Sequence, residues 1–465
     1  MTVKINRGED SVNLWFLTEM TEDATSGRVL RSGYTQQMAE DLIKMEYAFH
    51  EASVEVTSVQ SGRTHTSTLP AVSAEHLARH AVRMLIRQEL GKGATDIRFV
   101  TVKPEMGAKL HNCSMAFQRR ETVEVQGEDV ATTVWDTTIE GMPIKVTEWI
   151  NAHGDVVRML IDSGAGVIEA ILSTKASAED AAAQETGAPE LVDSTHVVLS
   201  RPQPELHAWS GASSAEFTVW SKNGQVLDLP TAGFQRVEPL ASDPAKLSVR
   251  VDLQVANGAT AVELADVSFI EPSAMIDVTD AAVRDIASAA LGELFTYPLG
   301  PRADGDVYAR ARKLRDAVKK HIVTFNLKTG YASASETARR REGDCSEHAV
   351  LLAALLRVDA IPSRVCSGIV YTERAAHSYL QEGDGDGGTG GARPGVVGSF
   401  AWHAWTQALI GGKWVDLDAT LYSSPYSVGH VLMGTSAMDD AAGHSDEMVM
   451  VSMIGNLEMS VESVA

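Results

Sequence analysis

The most constraining stretch of this sequence is an apolar run that begins just after a cysteine. Residues 349–356 read Ala-Val-Leu-Leu-Ala-Ala-Leu-Leu, and Asp344 with Glu347 forms a capping-box pattern directly before them. A helix that is apolar on nearly every face must be buried. Pro362 ends it, because proline cannot continue a helix, and residues 363–371 have strand composition. The pattern predicts a buried helix packed against a sheet.

Cys345 falls in the first turn of this helix. Backbone N–H groups there have no partner within the helix, and together with the positive end of the helix dipole they favour a thiolate. We therefore expect a lowered pKa for Cys345 and a nucleophilic role. The alternative is a small buried apolar residue. His348, one turn further on, is a rival base, but its place on the same helix directs it along the axis rather than at the sulfur.

A second informative stretch is a predicted β-hairpin. Residues 400–410 and 413–420 are rich in residues that favour strands, and two consecutive glycines separate them. A glycine pair between two such runs is typical of a two-residue turn. Pairing Ile410 with Lys413 sets the register of the two strands.

In this register His403 lies diagonal to Asp418 on one face of the hairpin, within reach of a hydrogen bond. Asp416, on the same face, is the alternative partner, and a slip of one residue would turn Asp418 away. Cys345, His403 and Asp418 are therefore the predicted catalytic residues: the nucleophile, its base and the carboxylate that orients the base. No cofactor and no metal is predicted.

The residues around this triad resemble the transglutaminase-like superfamily, which has a papain-type core. Four motif pieces occur in the family's order: Gly343-Asp344-Cys345, then Arg357 with Ile361-Pro362-Ser363-Arg364, then His403-Ala404-Trp405, and last Trp414 with Asp418-Ala419-Thr420. Ala419 departs from the family pattern, which has proline there. The match covers the C-terminal third of the chain, and it is most similar to bacterial proteins with transglutaminase domains.

The resemblance implies both a fold and a chemistry. The fold is α+β: a papain-like transglutaminase core, with the cysteine helix packed on an antiparallel sheet, preceded by β-rich N-terminal domains. The chemistry is acyl transfer from protein or peptide amides through a cysteine thioester, either to an amine, as in a transglutaminase, or to water, as in a cysteine peptidase. The alternative is a non-catalytic binding or scaffold protein on a degenerate core, and the presence of all three triad residues argues against it.

Changes of pattern along the chain predict three domains. Residues 1–187 form a β-rich α+β domain with a helix at 73–91, and they end in a polar segment of small residues. Residues 188–272 form a small antiparallel β domain. Residues 273–465 form the transglutaminase-like catalytic domain. We place these boundaries where the composition changes and where helix patterns begin.

Two short patterns raise the question of a metal ion. His76 and His80 are spaced by one helical turn, but no third ligand is near, so an ordinary helix surface is the better interpretation. Residues 384–387 read Asp-Gly-Asp-Gly, yet the spacing of a calcium loop fails at the next ligand position. The surrounding glycine-rich segment, 381–391, is predicted to be a flexible loop or lid beside the site.

Composition limits the partners of the chain. The 40 basic and 62 acidic residues give a net charge of −22, which argues against nucleic acid and anionic membranes as partners. The charge favours basic proteins or peptides as substrates, and solubility explains it equally well. No transmembrane segment or signal-peptide core is found, which predicts a cytoplasmic protein as written, or an exported one if an N-terminal signal or anchor was removed.

Overall fold

The computed structural model of the chain describes residues 2–7, 10–38, 41–60, 63–73, 75–140, 145–162, 167–177, 196–199, 209, 211–222, 224, 226–296, 306–326, 332–372, 399–421, 426–440 and 453–465. The chain divides into two compact units. One contains residues 1–6, 11–189 and 440–456, and the other contains residues 7–10, 190–439 and 457–465.

The first unit is built on two six-stranded sheets whose strands follow one another in chain order. The first sheet contains β1 (Thr2–Arg7), β2 (Asp10–Glu22), β3 (Val29–Met38), β4 (Asp41–Phe49), β5 (Ser53–Gln60) and β6 (Arg63–Pro70). The second contains β7 (Asp96–Val102), β8 (Leu110–Val125), β9 (Glu128–Ile139), β10 (Lys145–Asn151), β11 (Val156–Asp162) and β12 (Val167–Ile171). The prediction of a β-rich N-terminal region is confirmed.

Helix α1 (Arg79–Lys92) begins later than the sequence predicts. The residues before it are extended, because the Leu77 N–H donates to the Val100 carbonyl and ties this segment to β7. His76 lies in that extended segment, buried, with Nδ1 2.7 Å from the Ser73 carbonyl oxygen. His80 lies in the helix. The two histidines therefore do not share one helix, and the one-turn spacing that suggests a metal pair is absent.

The second unit contains two further antiparallel sheets. One has four strands in the order β15 (Gln235–Leu240), β16 (Asp243–Asp252), β14 (Ser214–Ser221) and β21 (Leu457–Val464). The other has the order β13 (His196–Val198), β18 (Ser399–Ile410), β17 (Ser363–Thr372) and β20 (His430–Ser436), with β19 (Lys413–Leu417) also paired to β18. The predicted α+β class with antiparallel sheets is confirmed.

Among the described residues, the second unit contains the α-helices α2 (Ala261–Ala265), α3 (Ala281–Leu291), α4 (Val307–His321), α5 (Ala334–Arg340) and α6 (Cys345–Val358). Helices α3 and α4 begin directly after Asp280 and Asp306, whose side chains accept hydrogen bonds from N–H groups of the first turns. In the described part of the chain, no helix has the length and apolar character needed to cross a bilayer.

Helix α6 is the centre of this unit. All its residues from Ser346 to Val358 are buried, and its apolar side chains pack with those of α3, α4, α5, β17 and β18 in one core. Two hydroxyls of the sheet donate to the helix backbone: Thr406 to the Ala349 carbonyl and Ser363 to the Ala353 carbonyl, both at 2.9 Å. The predicted packing of a buried helix on a sheet is confirmed.

Arg357 anchors the C-terminal end of α6. Its guanidinium is almost completely buried and donates to the backbone carbonyls of Glu271, Ser363 and Ala437 at 2.7–2.9 Å. Burial lowers the pKa of Arg357 to about 10. The arginine of the sequence motif thus joins the helix end to β17 and to two chain segments outside the helix.

A buried ion pair joins α4 to the end of α6. Arg310 donates from Nε to Asp359 Oδ2 at 2.8 Å and from Nη2 to Asp359 Oδ1 at 2.5 Å. Its Nη1 also donates to Glu293 Oε1 at 2.6 Å. The Asp359 side chain is fully buried, whereas Glu293 is one-third exposed. A buried charge that loses its partner is costly, so this pair makes the position of α6 depend on α4.

We expect Asp359→Ala to lower the free energy of unfolding by about 3 kcal/mol, because Arg310 then stays buried with only a partly exposed partner. Urea unfolding followed by tryptophan fluorescence measures the change. Glu238→Ala is the matched control, since its pair with Arg236 is exposed and contributes less than about 1 kcal/mol. Equal effects of the two substitutions would contradict the assigned role of the buried pair.

Candidate active site

The start of helix α6 is built by a capping box. Asp344 Oδ1 accepts the Ser346 N–H at 2.8 Å, and Glu347 Oε2 accepts the Asp344 N–H at 2.8 Å. Gly343 has φ 151°, and a Cβ atom on it would lie 2.4 Å from Glu347 Cβ. Glycine is therefore needed for Glu347 to reach back over the helix start. Burial, and next the Asp344 charge, raise the pKa of Glu347 well above its ordinary value. These contacts hold Cys345 in the first turn.

The predicted hairpin has the predicted register. Ile410 pairs with Lys413, and the ladder continues to Thr406 opposite Leu417. Strand β19 ends there, so Asp418 lies directly after the strand. Asp418 Oδ1 accepts the Thr420 N–H at 2.7 Å, and Asp418 Oδ2 is 2.7 Å from His403 Nε2.

The edge of strand β18 brings the cysteine and the histidine together. Strand β17 pairs with one edge of β18 along residues 399–408. On the other edge β13 pairs with residues 399–401 and β19 with residues 406–410. Among the described strands this leaves the backbone between them, which includes Ala404, without a partner on that edge. The Ala404 N–H and the His403 ring face the Cys345 sulfur there, and both act to lower the pKa of its thiol.

The three predicted residues therefore lie in one continuous series of contacts. His403 uses Nε2 for Asp418, so Nδ1 is the nitrogen that faces the thiol. Burial alone lowers the pKa of His403, but the charge and hydrogen bond of Asp418, with Cys345, raise it well above its ordinary value. Burial alone raises the pKa of Asp418, but His403 and His430 outweigh this and hold it below its ordinary range.

The pKa of Cys345 differs from the sequence expectation. Burial, and next the Asp344 charge, raise the pKa of this thiol, while His403 and the Ala404 N–H oppose the rise. The expected lowering by the helix start is not the net result, because the surrounding protein removes water from the thiol even though the residue as a whole stays partly exposed. A usable thiolate at this position depends on His403.

Asp416, the alternative carboxylate, and His348, the rival base, make hydrogen bonds to groups other than His403 and Cys345. Asp416 Oδ1 accepts the Trp405 indole N–H and the Gln407 amide N–H, both at 2.8 Å, and burial raises the pKa of Asp416. His348 Nδ1 lies 2.6 Å from the Asp344 carbonyl oxygen, and burial lowers the pKa of His348. Asp418 rather than Asp416 is the carboxylate that contacts His403.

A second histidine, His430, lies on the other side of Asp418. Its Nε2 is 3.1 Å from the same Oδ2 atom that binds His403. The sequence analysis missed this residue, because no local motif marks it and the pairing of β20 with β17 brings it to the site. His403, Asp418 and His430 also have the composition of a metal site, with donor atoms within 4.8 Å of one another. Two N–H donors on one carboxylate oxygen account for the same geometry without an ion.

The glycine-rich segment 381–391 lies outside the described residues. The flexible loop or lid therefore stays a prediction, and the Asp-Gly-Asp-Gly pattern at 384–387 lies outside the described residues as well.

Comparison with known proteins gives one family match. The family model described as Transglutaminase-like superfamily matches residues 301–419. No curated protein matches the chain. The matched residues include Cys345, His403 and Asp418 and three of the four sequence motifs in full. The predicted resemblance to this superfamily is confirmed.

Three solved structures illustrate the similarity of the chain to known folds. A candidate cysteine protease from Cytophaga hutchinsonii is 16% identical, with a TM-score of 0.29, and the alignment covers 58% of this chain and 87% of that one. The periplasmic domain of TgpA from Pseudomonas aeruginosa, solved with ethylmercury bound, is 14% identical with a TM-score of 0.29, covering 50% and 86%. A candidate protease from Parabacteroides distasonis is 11% identical with a TM-score of 0.20, covering 88% and 68%.

These TM-scores are low, and the similarity carries no information about a substrate or a reaction of this chain. The identification rests on the family match and on the sequence motifs. Residues 301–419 of this chain match the family model of the Transglutaminase-like superfamily.

Proposed function

We propose that this chain is a thiol acyltransferase or hydrolase that acts on protein or peptide amides through a thioester on Cys345. The observation that supports the proposal is the unbroken series of contacts from the Cys345 sulfur through His403 to the buried Asp418 carboxylate. The match of residues 301–419 to the superfamily model supports the same class of chemistry. Each of the three groups has a separate task in the reaction.

In the first half of the reaction, His403 Nδ1 accepts the proton of the Cys345 thiol as the sulfur attacks the amide carbonyl carbon. Asp418 stabilises the imidazolium that forms, because its pKa is held low and it stays ionised. The Cys345 backbone N–H at the helix start is the expected donor to the developing oxyanion. The C–N bond then breaks, His403 returns the proton to the leaving nitrogen, and the thioester remains.

In the second half, an acceptor with a transferable proton attacks the thioester carbonyl. His403 removes a proton from the acceptor, the C–S bond breaks, and the thiol is restored. Water as the acceptor gives hydrolysis or deamidation, and a primary amine gives transglutamination. The net charge of −22 favours basic proteins or peptides as substrates, since opposite charge assists their approach.

Cys345→Ala is expected to abolish acyl transfer, because no other side chain in the series is a nucleophile of this kind. Incorporation of a fluorescent primary amine into unfolded casein measures amine transfer, and release of ammonia or new peptide ends measures hydrolysis. Cys113→Ala is the matched control: this buried cysteine belongs to the other compact unit and is expected to leave both rates unchanged. Turnover by Cys345→Ala equal to that of the parent would refute the proposal.

Alkylation of Cys345 by iodoacetamide tests the thiol without a known substrate. In His403→Ala, burial and the Asp344 charge raise the thiol pKa with no imidazolium to oppose them. The reaction then requires a pH above the ordinary thiol value of ~8.5, and we expect the rate at neutral pH to fall ~100-fold. Peptide mass spectrometry follows Cys345 separately from Cys113 and Cys366. Identical pH profiles for the parent and His403→Ala would show that the pair is not assembled.

Asp418→Asn is expected to lower the neutral-pH alkylation rate by about tenfold, because the charge that raises the His403 pKa is removed while the side chain keeps its size. Asp416→Asn is the matched control. Asp416 is equally buried but contacts Trp405 and Gln407 instead of His403, so the alkylation rate should stay within about twofold of the parent. A larger loss in the Asp416 variant would reverse the assignment of the orienting carboxylate.

A further inference from the structure

His430 is a buried histidine at the start of strand β20 that the proposed reaction does not use directly. It pairs with Val370 of β17, and its side chain is completely shielded from solvent. Its Nε2 lies 3.1 Å from Asp418 Oδ2. Asp418 thus stands between two imidazoles, and one of them belongs to no motif of the sequence.

The protonation of the His430 ring follows from its contact with Asp418. An ionised carboxylate can only accept, so Nε2, which lies 3.1 Å from Asp418 Oδ2, carries a proton. On the other side of the ring, Nδ1 lies 3.2 Å from the Ser427 backbone N–H, 3.3 Å from the Ser427 hydroxyl and 3.1 Å from the Ser427 carbonyl oxygen, and these contacts suit a donating or an accepting Nδ1. His430 therefore presents an N–H group to the Asp418 carboxylate.

The ring of His430 is held in place by its aromatic neighbours. Tyr426 stacks on it with ring centroids 4.4 Å apart, and Trp405 meets it edge-on at 5.3 Å. The His403 ring lies at 5.8 Å. With its backbone in a strand and its faces covered, the imidazole has little freedom to turn away from Asp418.

Both oxygens of Asp418 are engaged by fixed donors. Oδ1 accepts the N–H groups of Thr420 and Leu421 at 2.7 and 3.3 Å, and Oδ2 accepts from His403 and His430. A carboxylate has about four lone-pair sites, so this one is saturated. Removing one donor from a buried charge both weakens its ionised form and frees it to move.

We propose that His430 is a positioning residue for the Cys345–His403–Asp418 series: its Nε2–H holds the Asp418 carboxylate in line with His403. This inference rests on the proposed function and adds a fourth member to it. The charged or titratable groups that face His430 are Asp418, His403, Asp416 and Tyr426. Of these, Asp418 is the group to which His430 Nε2 is hydrogen-bonded.

The position of Asp418 affects the reactivity of Cys345 through His403. Asp418 raises the pKa of His403, and His403 in turn opposes the rise of the Cys345 pKa. When Asp418 is displaced, His403 is a weaker base and the thiolate–imidazolium pair is less populated. The rate of Cys345 alkylation on the plateau near neutral pH measures that population.

The test compares His430→Phe with His430→Gln. Phenylalanine keeps a flat ring between Tyr426 and Trp405 but has no N–H, whereas glutamine places an amide N–H near the position of Nε2. We expect His430→Phe to lower the plateau rate about tenfold and His430→Gln to recover it to within about threefold of the parent. A purely structural role would shift the thermal midpoint without separating the two variants on the plateau.

A second measurement does not depend on any variant folding. The ¹⁵N chemical shifts of the His430 ring in the whole parent protein report which nitrogen carries the proton, and we expect Nε2–H. A ring protonated on Nδ1 alone would overturn the proposal. The proposal would also be overturned if the plateau rate of Cys345 alkylation in His430→Phe equalled that of the parent. The same holds if the plateau rate in His430→Gln were as low as in His430→Phe.

Two controls distinguish the role of His430 from a failure of the triad and from metal binding. If the parent and His403→Ala have the same alkylation rate, the triad is not assembled and both proposals are wrong. If the parent depends on His403 while His430→Phe is unchanged, only the role of His430 fails. Because His403, Asp418 and His430 are close enough to share a metal, the parent is also assayed after EDTA. A rate lost with EDTA and restored by Zn²⁺ would mean that an ion, not the N–H, holds the carboxylate.

Discussion

Burial of helix α6 on every side is the constraint on which the second unit depends. Its residues from Ser346 to Val358 have no exposed face, so a sheet must cover one side while α3, α4 and α5 cover the others. A helix buried in this way needs its polar ends satisfied. The capping box at Asp344 meets this need at one end, and Arg357 and Asp359 tie the other end to neighbouring segments. Cys345 lies at the end where the buried helix reaches the sheet edge.

Sequence reasoning predicts those contacts of this arrangement that join residues close together in the sequence. The capping box involves residues three apart, and the hairpin register follows from two adjacent glycines, so both Cys345 and the His403–Asp418 contact are predictable. His430 is not, because it reaches the site only through the pairing of β20 with β17, which includes a register shift after Ser367.

The distinction between local and long-range contacts also explains the remaining differences between the predicted and the observed structure. Strand β14 pairs with β16 and with the C-terminal β21, and the described residues of 225–229, which follow β14 in the chain, belong to no strand. Pairing between strands that are far apart in the sequence leaves no signal in the residues that follow one of them. The lowered pKa that the sequence predicts for Cys345 likewise follows from a local feature, the helix start. Desolvation by the folded chain is not local, and it is the larger effect.

Asp416 and Asp418 show how surroundings rather than residue type assign a role. Both carboxylates are buried, and they stand two residues apart. Asp416 accepts from an indole, an amide and the Phe234 backbone N–H, none of which carries a charge, so burial prevails and its pKa rises. Asp418 faces two imidazoles, and its pKa falls. Of these two buried carboxylates, the one whose pKa falls is the one beside groups able to take a positive charge. That difference favours Asp418 as the partner of His403, and it gives a second imidazole on the same oxygen a reason to be there.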